Sequence, residues 1–235
     1  MGRIVSIHQP NFFPWLGFFD KIVRSDAFVL LDDVQFPKKG GTWINRVNLL
    51  VQGQAHWATA CIVRNYHGFR AINQMEFQSA EPWREKVLKT VVGNYSKWPH
   101  FKETVDFFEP LILNSENNIA AYNSRAILAI ASQLGIPKEK FYWSSKLPHE
   151  GAANELLISL TKAAGGDTYM CGGGADGYQD ENTFKESGVV LRHQDFEHPQ
   201  YPQVGASGFV AGLSIIDAIM SVGWAGSKKL LGIGS

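Results

Sequence analysis

The residue whose position most favours chemistry is His8, which follows a short apolar run and precedes Pro10. A histidine between a buried strand and a helix N-terminus lies where proteins hold anionic groups. It can donate a hydrogen bond to a phosphate or carboxylate, or act as a general base near neutral pH. Gln9 and Asn11 add hydrogen-bonding groups at the same turn. The alternative is a structural histidine bonded to a neighbouring carbonyl, and the sequence favours the functional role.

Two carboxylates, Asp32 and Asp33, come directly after the second apolar run of the chain. Neighbouring side chains point in opposite directions in an extended chain, so these two do not form an acid/base pair with each other. We expect one of them, with Asp32 as the candidate, to face a catalytic site and the other to cap a turn. Magnesium binding is a less favoured alternative. Ser145, at the end of a later strand-like run, is a further candidate for substrate binding.

Cations and amides surround the pair Gly40-Gly41, where Lys38, Asn45 and Arg46 are candidates for substrate binding. An arginine can hold a phosphate or carboxylate through two parallel hydrogen bonds. A solvated turn is the alternative. Asn45 and Arg46 interrupt an otherwise strand-like run, which favours the functional interpretation for this pair.

A glycine-rich segment begins at Cys171 and contains Gly172, Gly173, Gly174 and, further on, Tyr178. Glycines let the backbone approach a ligand closely and present N–H groups to an anion. The segment does not match the Walker loop or the dinucleotide fingerprint, so the motif is weak in isolation. Cys171 is a candidate nucleophile, although a cysteine at a strand end is more often small buried filler.

The last candidates follow the final strand-like run, where His198, Tyr201 and Gln203 form a polar and aromatic loop. Asp217 lies inside an apolar helical segment, so its carboxylate needs a partner and is either a structural anchor or a site residue. The remaining histidines, at positions 56, 67, 100, 149 and 193, lack the spacing of zinc ligands, and we expect no metal site.

The elements that position these residues follow from hydrophobic periodicity. Near-continuous apolar runs predict strands, and apolar residues at helical spacing predict helices. Predicted strands cover residues 3–8, 27–32, 43–51, 54–63, 140–145, 168–171 and 189–196. Predicted helices cover residues 13–24 with Asn11 as a possible cap, 82–98, 101–108, 119–134, 153–164, 180–187 and 213–222, the last with a stop at Gly223. A Gln52-Gly53 turn predicts that the third and fourth strands form an antiparallel hairpin.

This order predicts an α/β fold with one open, mainly parallel sheet, similar to Rossmann or HUP-like folds. We interpret residues 1–235 as a single domain, in which residues 43–135 form an inserted hairpin and helical region. Ligands of such sheets bind beyond the carboxyl ends of the strands. Because polar side chains follow five of the predicted strands, we expect the scattered candidates to meet at one edge of the sheet.

Composition limits the class of protein. The chain has 235 residues and equal numbers of basic and acidic residues, 22 each, which argues against bulk nucleic acid or an anionic membrane as the main partner. The N-terminal sequence lacks the pattern of a signal peptide, and no apolar stretch is long enough to insert in a membrane. Two cysteines are too few for a disulfide scaffold. We therefore expect a cytoplasmic protein.

The motifs together resemble the WbqC-like protein family across nearly the whole chain. The resemblance lies in HQPNFFPWLGFFDK (8–21), FVLLDDVQF (28–36), Asn45-Arg46, YMCGGGADGYQD (169–180) and the segment from His198 to Gly223. A departure is Cys171, where the family pattern leads us to expect serine. The resemblance implies site residues at His8, Gln9, Pro14, Trp15, Gly17, Asp20, Asp32, Asn45, Arg46, Gly172, Tyr178, Asp180, His198, Tyr201, Gln203 and Asp217.

The resemblance also implies a role in bacterial surface-polysaccharide (O-antigen, lipopolysaccharide) biosynthesis, with glycine transfer as the suggested activity. The leading hypothesis is a transferase that joins glycine or another acyl group to an amino sugar, with a nucleotide-linked sugar as substrate and an activated acyl donor or nucleotide as cosubstrate. His8 is then the base or the phosphate clamp, Arg46 holds an anionic donor, and N–H groups at Gly172–Gly174 stabilise the oxyanion. The alternatives are a HUP-type nucleotidylyltransferase and a non-catalytic protein that binds a sugar nucleotide.

Overall fold

The computed structural model describes residues 2–38, 42–173 and 179–234 of the chain. Its strands are β1 (Ile4–His8), β2 (Ala27–Leu30), β3 (Arg46–Val51), β4 (Gln54–Thr59), β5 (Phe141–Trp143), β6 (Thr168–Cys171) and β7 (Val190–His193). Its α-helices are α1 (Leu16–Val23), α2 (Trp83–Tyr95), α3 (Phe101–Ile112), α4 (Ile119–Gln133), α5 (Asn154–Ala163), α6 (Glu181–Glu186) and α7 (Ile215–Leu230). Short 3-10 helices cover Ile72–Gln74, Lys138–Lys140 and Ser144–Lys146.

The main sheet has the strand order β5-β2-β1-β6-β7, and each neighbouring pair in it is parallel. The central strand β1 pairs with β2 on one side and with β6 on the other, so that Ser6 lies opposite both Phe28 and Met170. The chain first builds the sheet outward from β1 in one direction and then crosses over to build it in the other. The predicted α/β fold with an open parallel sheet is confirmed.

Both faces of the sheet are covered, which is why its strands are almost continuously apolar. On one face, Phe28 and Leu30 pack into a large cluster that includes side chains of α1, the hairpin, α2 to α4 and α7. On the other face, Val5, Ile7 and Val29 pack against α5 and α6 in a smaller cluster, which we call the minor core. Alternate residues of β1 and β2 therefore face opposite layers.

The predicted hairpin is confirmed, since β3 and β4 pair antiparallel outside the main sheet. Gln52 and Gly53 connect them with φ values of +51° and +77°, the left-handed conformations of a tight hairpin turn. The interpretation of residues 43–135 as an insertion in one domain stays a prediction. No helix of the described residues is long and apolar enough to cross a membrane.

Four helix ends differ from the sequence prediction by three or more residues, and one of them is the end of α2, at Tyr95 rather than at residue 98. Helix α1 begins at Leu16 rather than at residue 13, and Asn11 is not its cap, because Phe13 has a φ of +39° and Pro14 follows it. Helix α3 continues past Pro110 to Ile112, whose side chain is fully buried. The predicted stop at Gly223 is a break between two helical segments, with a φ of +68°, after which α7 continues to Leu230.

Candidate functional site

A cavity of about 370 Å³ lies where the strand order of the main sheet reverses, between the carboxyl ends of β1 and β6. This is the place where open parallel sheets bind their ligands. We call it the switch-point cavity. It is lined by His8, Asn11, Trp15, Gly17, Phe18, Lys21, Trp43, Gly172, Gly173, Gln194 and Phe196.

The imidazole of His8 is held in one orientation and one protonation state. Its Nδ1 lies 2.9 Å from the carbonyl oxygen of Gln9, and its ring packs edge-to-face on Phe18. A carbonyl can only accept, so Nδ1 carries the proton and Nε2 has a free lone pair. Burial, and then the charge of Lys21, lowers the pKa of His8 from 6.5 to about 4. The imidazole is therefore neutral at pH 7, with Nε2 unprotonated, so it cannot bind an anion through a positive charge.

Lys21 also lines the cavity, and the sequence analysis did not single it out. Its side chain is buried, and Nζ donates a hydrogen bond of 3.3 Å to the carbonyl of Ile7. Burial lowers the pKa of Lys21 to about 8, an effect that the neighbouring Cys171 partly opposes. At pH 7 the side chain is thus mainly an ammonium ion inside the cavity wall.

Gln194 is the second cavity residue that the sequence analysis missed. Its Nε2 donates to the carbonyl of Gly17 at 2.8 Å and to Asp20 Oδ2 at 2.7 Å, which fixes the amide. A Cβ atom placed on Gly172 would lie 3.7 Å from Gln194 Oε1 and 3.9 Å from Lys21 Nζ. The backbone of Gly172 is therefore flanked by an amide oxygen and an ammonium group.

The side-chain amide of Asn11 is a further polar group in the cavity wall. Its side chain is 4% exposed and lines the cavity. Among the described residues its amide has no hydrogen-bond partner, so a ligand in the cavity can bond to it. Aromatic rings complete the wall, since Trp15 packs edge-to-face on Phe196 with ring centroids 5.3 Å apart and Trp43 is 39% exposed.

Asp32 and Ser145 meet outside the cavity. The Oδ1 of Asp32 accepts hydrogen bonds from the backbone N–H of Ser145 and the hydroxyl of Ser144, both at 3.0 Å. Its Oδ2 accepts from Ser145 Oγ at 2.8 Å. The neighbouring Asp33 lies 3.3 Å from His149 Nε2. The carboxylate of Asp32 therefore holds the loop after β5 against the end of β2.

Cys171 is fully buried in the minor core, behind the cavity. Its sulfur lies 3.4 Å from the carbonyl of Arg192 and 3.4 Å from Nδ1 of His193. The thiol is not among the groups that line the cavity, which favours the interpretation of Cys171 as buried filler. Gly172 and Gly173, which follow it, are brought into the cavity.

The candidates near the hairpin are divided. Asn45 is buried and donates to the carbonyl of Ala60 at 3.0 Å, so it supports the turn before β3. Arg46 stacks on Trp57 with its guanidinium carbon 4.0 Å from the ring centroid. Neither residue lines the cavity, but Trp57 contacts Trp43, which does. Lys38 is exposed, and its carbonyl accepts a hydrogen bond from Arg64.

His198 connects the cavity wall to the last loop. Its ring lies 6.0 Å from Trp15 and 6.2 Å from Tyr201, measured between ring centroids. Nδ1 lies 3.0 Å from the carbonyl of Pro199, and Nε2 is buried without a hydrogen-bond partner. Burial lowers the pKa of His198, so this imidazole too is neutral at pH 7.

Asp217, Gln203, Tyr201 and Tyr95 form a separate buried cluster, which we call the α7 anchor. Tyr95 donates to Asp217 Oδ1 at 2.9 Å, and Gln203 Nε2 lies 3.3 Å from Asp217 Oδ2. Burial raises the pKa of Asp217 from 3.8 to about 6, although hydrogen bonds from Tyr95, Tyr201 and Gln203 oppose the shift. The cluster fastens the last loop and α2 to the first turn of α7.

The structure thus divides the predicted site residues. The cavity brings together His8, Asn11, Trp15, Gly172 and Gly173, with Gln9 in contact through its carbonyl. Of the remaining described candidates, His198 lies between the cavity wall and the last loop, Lys38 is exposed before the hairpin, and the others lie in the Asp32 cluster, at the hairpin, in the minor core or in the α7 anchor. Gly174 and Tyr178 fall outside the described residues. Within the described ranges, no group of three or more histidine, cysteine, aspartate or glutamate side chains is placed to hold a metal ion.

Comparison with known proteins extends these observations to a family. A model of the WbqC-like protein family matches residues 9–229, a range that contains every cavity residue except His8. The uncharacterized protein Rv1507c of Mycobacterium tuberculosis (strain H37Rv) is 29% identical over 222 residues, which are 93% of this chain and 94% of that protein. No solved structure matches the chain.

Proposed function

The chain belongs to the WbqC-like protein family, and from that premise we propose that it is a transferase that modifies a sugar precursor of bacterial surface polysaccharide. The reaction joins glycine or another acyl group to the amino group of a nucleotide-linked sugar in the cytoplasm. The observation that carries the proposal is the neutral imidazole of His8, whose free Nε2 shares one cavity with the ammonium of Lys21.

The reaction is a nucleophilic acyl substitution. The amine nitrogen of the acceptor sugar attacks the carbonyl carbon of an activated acyl donor, such as a thioester. A C–N bond forms, the bond to the donor's leaving group breaks, and the leaving group departs with the electron pair. The proton lost by the amine passes to Nε2 of His8, which holds no proton in the resting protein. We assign the stabilisation of the charge that develops on the carbonyl oxygen to backbone N–H groups of the glycine segment after β6, which lines the cavity at Gly173.

The shape of the cavity supports a sugar as the acceptor. Its wall contains the aromatic side chains of Trp15, Phe18, Trp43 and Phe196, together with a small number of polar groups. Aromatic faces pack against the C–H surface of sugars, while polar groups fix their orientation. The volume of about 370 Å³ lies in the range of small-molecule sites.

The proposal is tested by incubating the purified protein with a uridine-diphosphate-linked amino sugar and a glycyl thioester, and by measuring the mass of the product. We expect a new amide, and a strong loss of its formation in His8→Asn. The matched control is His149→Asn, which removes a histidine that pairs with Asp33 outside the cavity. If no amide forms with any acyl donor, or if His8→Asn keeps the wild-type rate, the proposal is wrong.

Nucleotidyl transfer is the second candidate, favoured by the position of His8 between β1 and α1 at the reversal of strand order. In that reaction a phosphate oxygen of a sugar phosphate attacks the α-phosphorus of a nucleoside triphosphate, and pyrophosphate leaves. Magnesium-dependent release of pyrophosphate from ATP or CTP in the presence of a sugar phosphate distinguishes it from acyl transfer. Tight binding of a sugar nucleotide without turnover in either assay indicates a non-catalytic binding protein.

A further inference from the structure

The ammonium group of Lys21 lies in the cavity wall, and none of the described carboxylates is paired with it. The side chain is 3% exposed. A buried charge is costly unless it is paired and hydrogen-bonded. Among the described residues, the charge of Lys21 is therefore left unpaired, and an anionic ligand in the cavity would balance it.

Asp20, the acidic residue nearest to Lys21 in the sequence, already has other partners. Asp20 lies 3.5 Å from Arg24 and accepts the amide hydrogen bond from Gln194. Cys171 is close enough to oppose part of the lowering of the pKa of Lys21, but its sulfur is turned to β7. His8 is neutral, so it adds no charge of either sign at pH 7.

Lys140 is a useful comparison in the same protein, because its ammonium group finds all its hydrogen-bond partners within the protein. Its Nζ donates to three carbonyl oxygens at the end of α1, those of Ile22, Val23 and Ser25, at 3.5, 3.1 and 2.6 Å. All its donors are thereby satisfied. Within the described ranges Lys21 donates to one carbonyl, at 3.3 Å, and its two other N–H donors are available to a ligand.

Two further features face the same space. Asn11 adds a side-chain amide that lines the same cavity and has no hydrogen-bond partner among the described residues. Gly172 has no side chain, which leaves a gap beside Lys21. A Cβ atom in that gap would lie 3.9 Å from Lys21 Nζ. A cation, a free amide and accessible backbone in one concave wall are the groups that proteins use to bind phosphate oxygens.

We propose that Lys21 and Asn11 bind the diphosphate of the nucleotide-linked sugar, with the gap at Gly172 receiving one of its phosphates. The choice of a sugar nucleotide as the source of the diphosphate rests on the proposed function. The assignment separates two roles in the cavity. Lys21 holds the anionic part of the substrate, and His8 receives the proton.

The experiment is calorimetric titration of inorganic pyrophosphate and of uridine diphosphate into the full-length protein and into Lys21→Met, Lys21→Arg and Gly172→Ala. Uridine without phosphates is the ligand control. Lys89→Met, which removes an exposed lysine of α2, is the matched charge control. Thermal melting of each variant without ligand reports folding.

We expect both diphosphates to bind the wild type and Lys89→Met with the same affinity, and uridine to bind weakly or not at all. Lys21→Met lowers the affinity about thirtyfold or more, the loss typical when one partner of a buried charge pair is removed. Lys21→Arg retains part of the affinity, and Gly172→Ala weakens binding although its added methyl is in ordinary contact distance of its neighbours. Lys21→Met melts at the wild-type temperature or above it, because a buried unpaired charge is removed.

Wild-type affinity in Lys21→Met, or no binding of either diphosphate to the wild type, would overturn the inference. Unfolding of Lys21→Met would also count against it, since that result assigns the lysine a structural role. The two proposals fail differently. Diphosphate binding that depends on Lys21 without any amide product refutes the acyl transfer alone. Amide formation with an unchanged KM for the sugar nucleotide in Lys21→Met refutes the diphosphate site alone.

Discussion

The switch-point cavity and the α7 anchor contain similar kinds of polar side chain but differ in how these are satisfied. In the α7 anchor, the carboxylate of Asp217 is surrounded by donors from Tyr95, Tyr201 and Gln203. In the cavity, Lys21 makes one hydrogen bond and Asn11 makes none among the described residues. Both regions are formed by motifs of the family, so a motif alone does not distinguish a binding site from a structural one.

The difference indicates where a ligand is needed. Buried polar groups that satisfy one another stabilise the fold and gain nothing from a bound molecule. Polar groups that lack protein partners and also line a cavity can gain hydrogen bonds from a bound molecule. We therefore expect substitutions in the cavity to change binding and turnover, and substitutions in the α7 anchor to change the free energy of unfolding.

The largest effect is expected for His8→Asn. Loss of a positioned general base lowers the rate of a proton-coupled reaction by about 10²–10⁴-fold, while the free energy of unfolding falls by about 1 kcal/mol, because the contact of the ring with Phe18 is lost. Steady-state rates of amide formation and urea unfolding measure the two effects. If His8→Asn unfolds readily, or if it turns over at the wild-type rate, the claim that His8 acts in catalysis rather than in folding is wrong.

The opposite pattern is expected for Asp217→Ala. Removing the carboxylate leaves the hydroxyls of Tyr95 and Tyr201 without an acceptor, and each unsatisfied buried group costs about 1–3 kcal/mol. We expect the free energy of unfolding to fall by about 2–4 kcal/mol, with the affinity for uridine diphosphate unchanged. Urea unfolding and calorimetric titration check this pair of results. A large loss of affinity in a folded variant would show that the anchor belongs to the binding site.

The pH dependence of the free energy of unfolding tests the structural role of Asp217 further. The pKa of Asp217 is raised in the folded protein, from 3.8 to about 6, so the folded state binds a proton more readily than the unfolded state. The stability contributed by this group increases as the pH falls from 6 to 4, by about 3 kcal/mol at roughly 1.4 kcal/mol per pKa unit. Asp217→Asn does not titrate and lacks this increase. Equal pH dependence of unfolding in both proteins would contradict the raised pKa.

The smallest effect comes from two buried asparagines with different partners. Asn45 donates to Ala60, whereas Asn11 has no partner in the described chain. Asn45→Ala should lower the free energy of unfolding by about 1 kcal/mol and leave ligand affinity unchanged, while Asn11→Ala should lower the affinity for pyrophosphate about fivefold without loss of stability. If both variants lose the same free energy of unfolding, the presence or absence of a hydrogen-bond partner does not distinguish binding residues from structural ones.

The strands were predictable because the sheet is covered on both faces, which makes each strand a nearly continuous apolar run. The hairpin was predictable because Gln52-Gly53 accepts the left-handed conformations of its turn. The ends of the helices were less predictable from the sequence. The start of α1 depends on the positive φ of Phe13, and the extension of α3 past Pro110 depends on burial of Ile112, which are tertiary effects.

The cavity was predictable in outline, since His8 and the glycines after β6 follow from the rule for strand ends. Lys21 was missed because a lysine in the last turn of a helix usually complements the helix dipole in solvent. A signal was present, because Lys21 follows Gly17 by four residues and Phe18 by three, the spacing of one buried helix face. Gln194 gave no such signal, since its place depends on the pairing of β7 with β6.

The central claim is that the ligand occupies the switch-point cavity, and a crystal structure with a uridine-diphosphate-linked amino sugar tests it most directly. The account predicts phosphate oxygens within hydrogen-bond distance of Lys21 Nζ and the sugar amino group beside Nε2 of His8. A ligand bound instead in the hollow of about 380 Å³ formed by the loop from Gln200 to Phe209, with the switch-point cavity unoccupied, would contradict it.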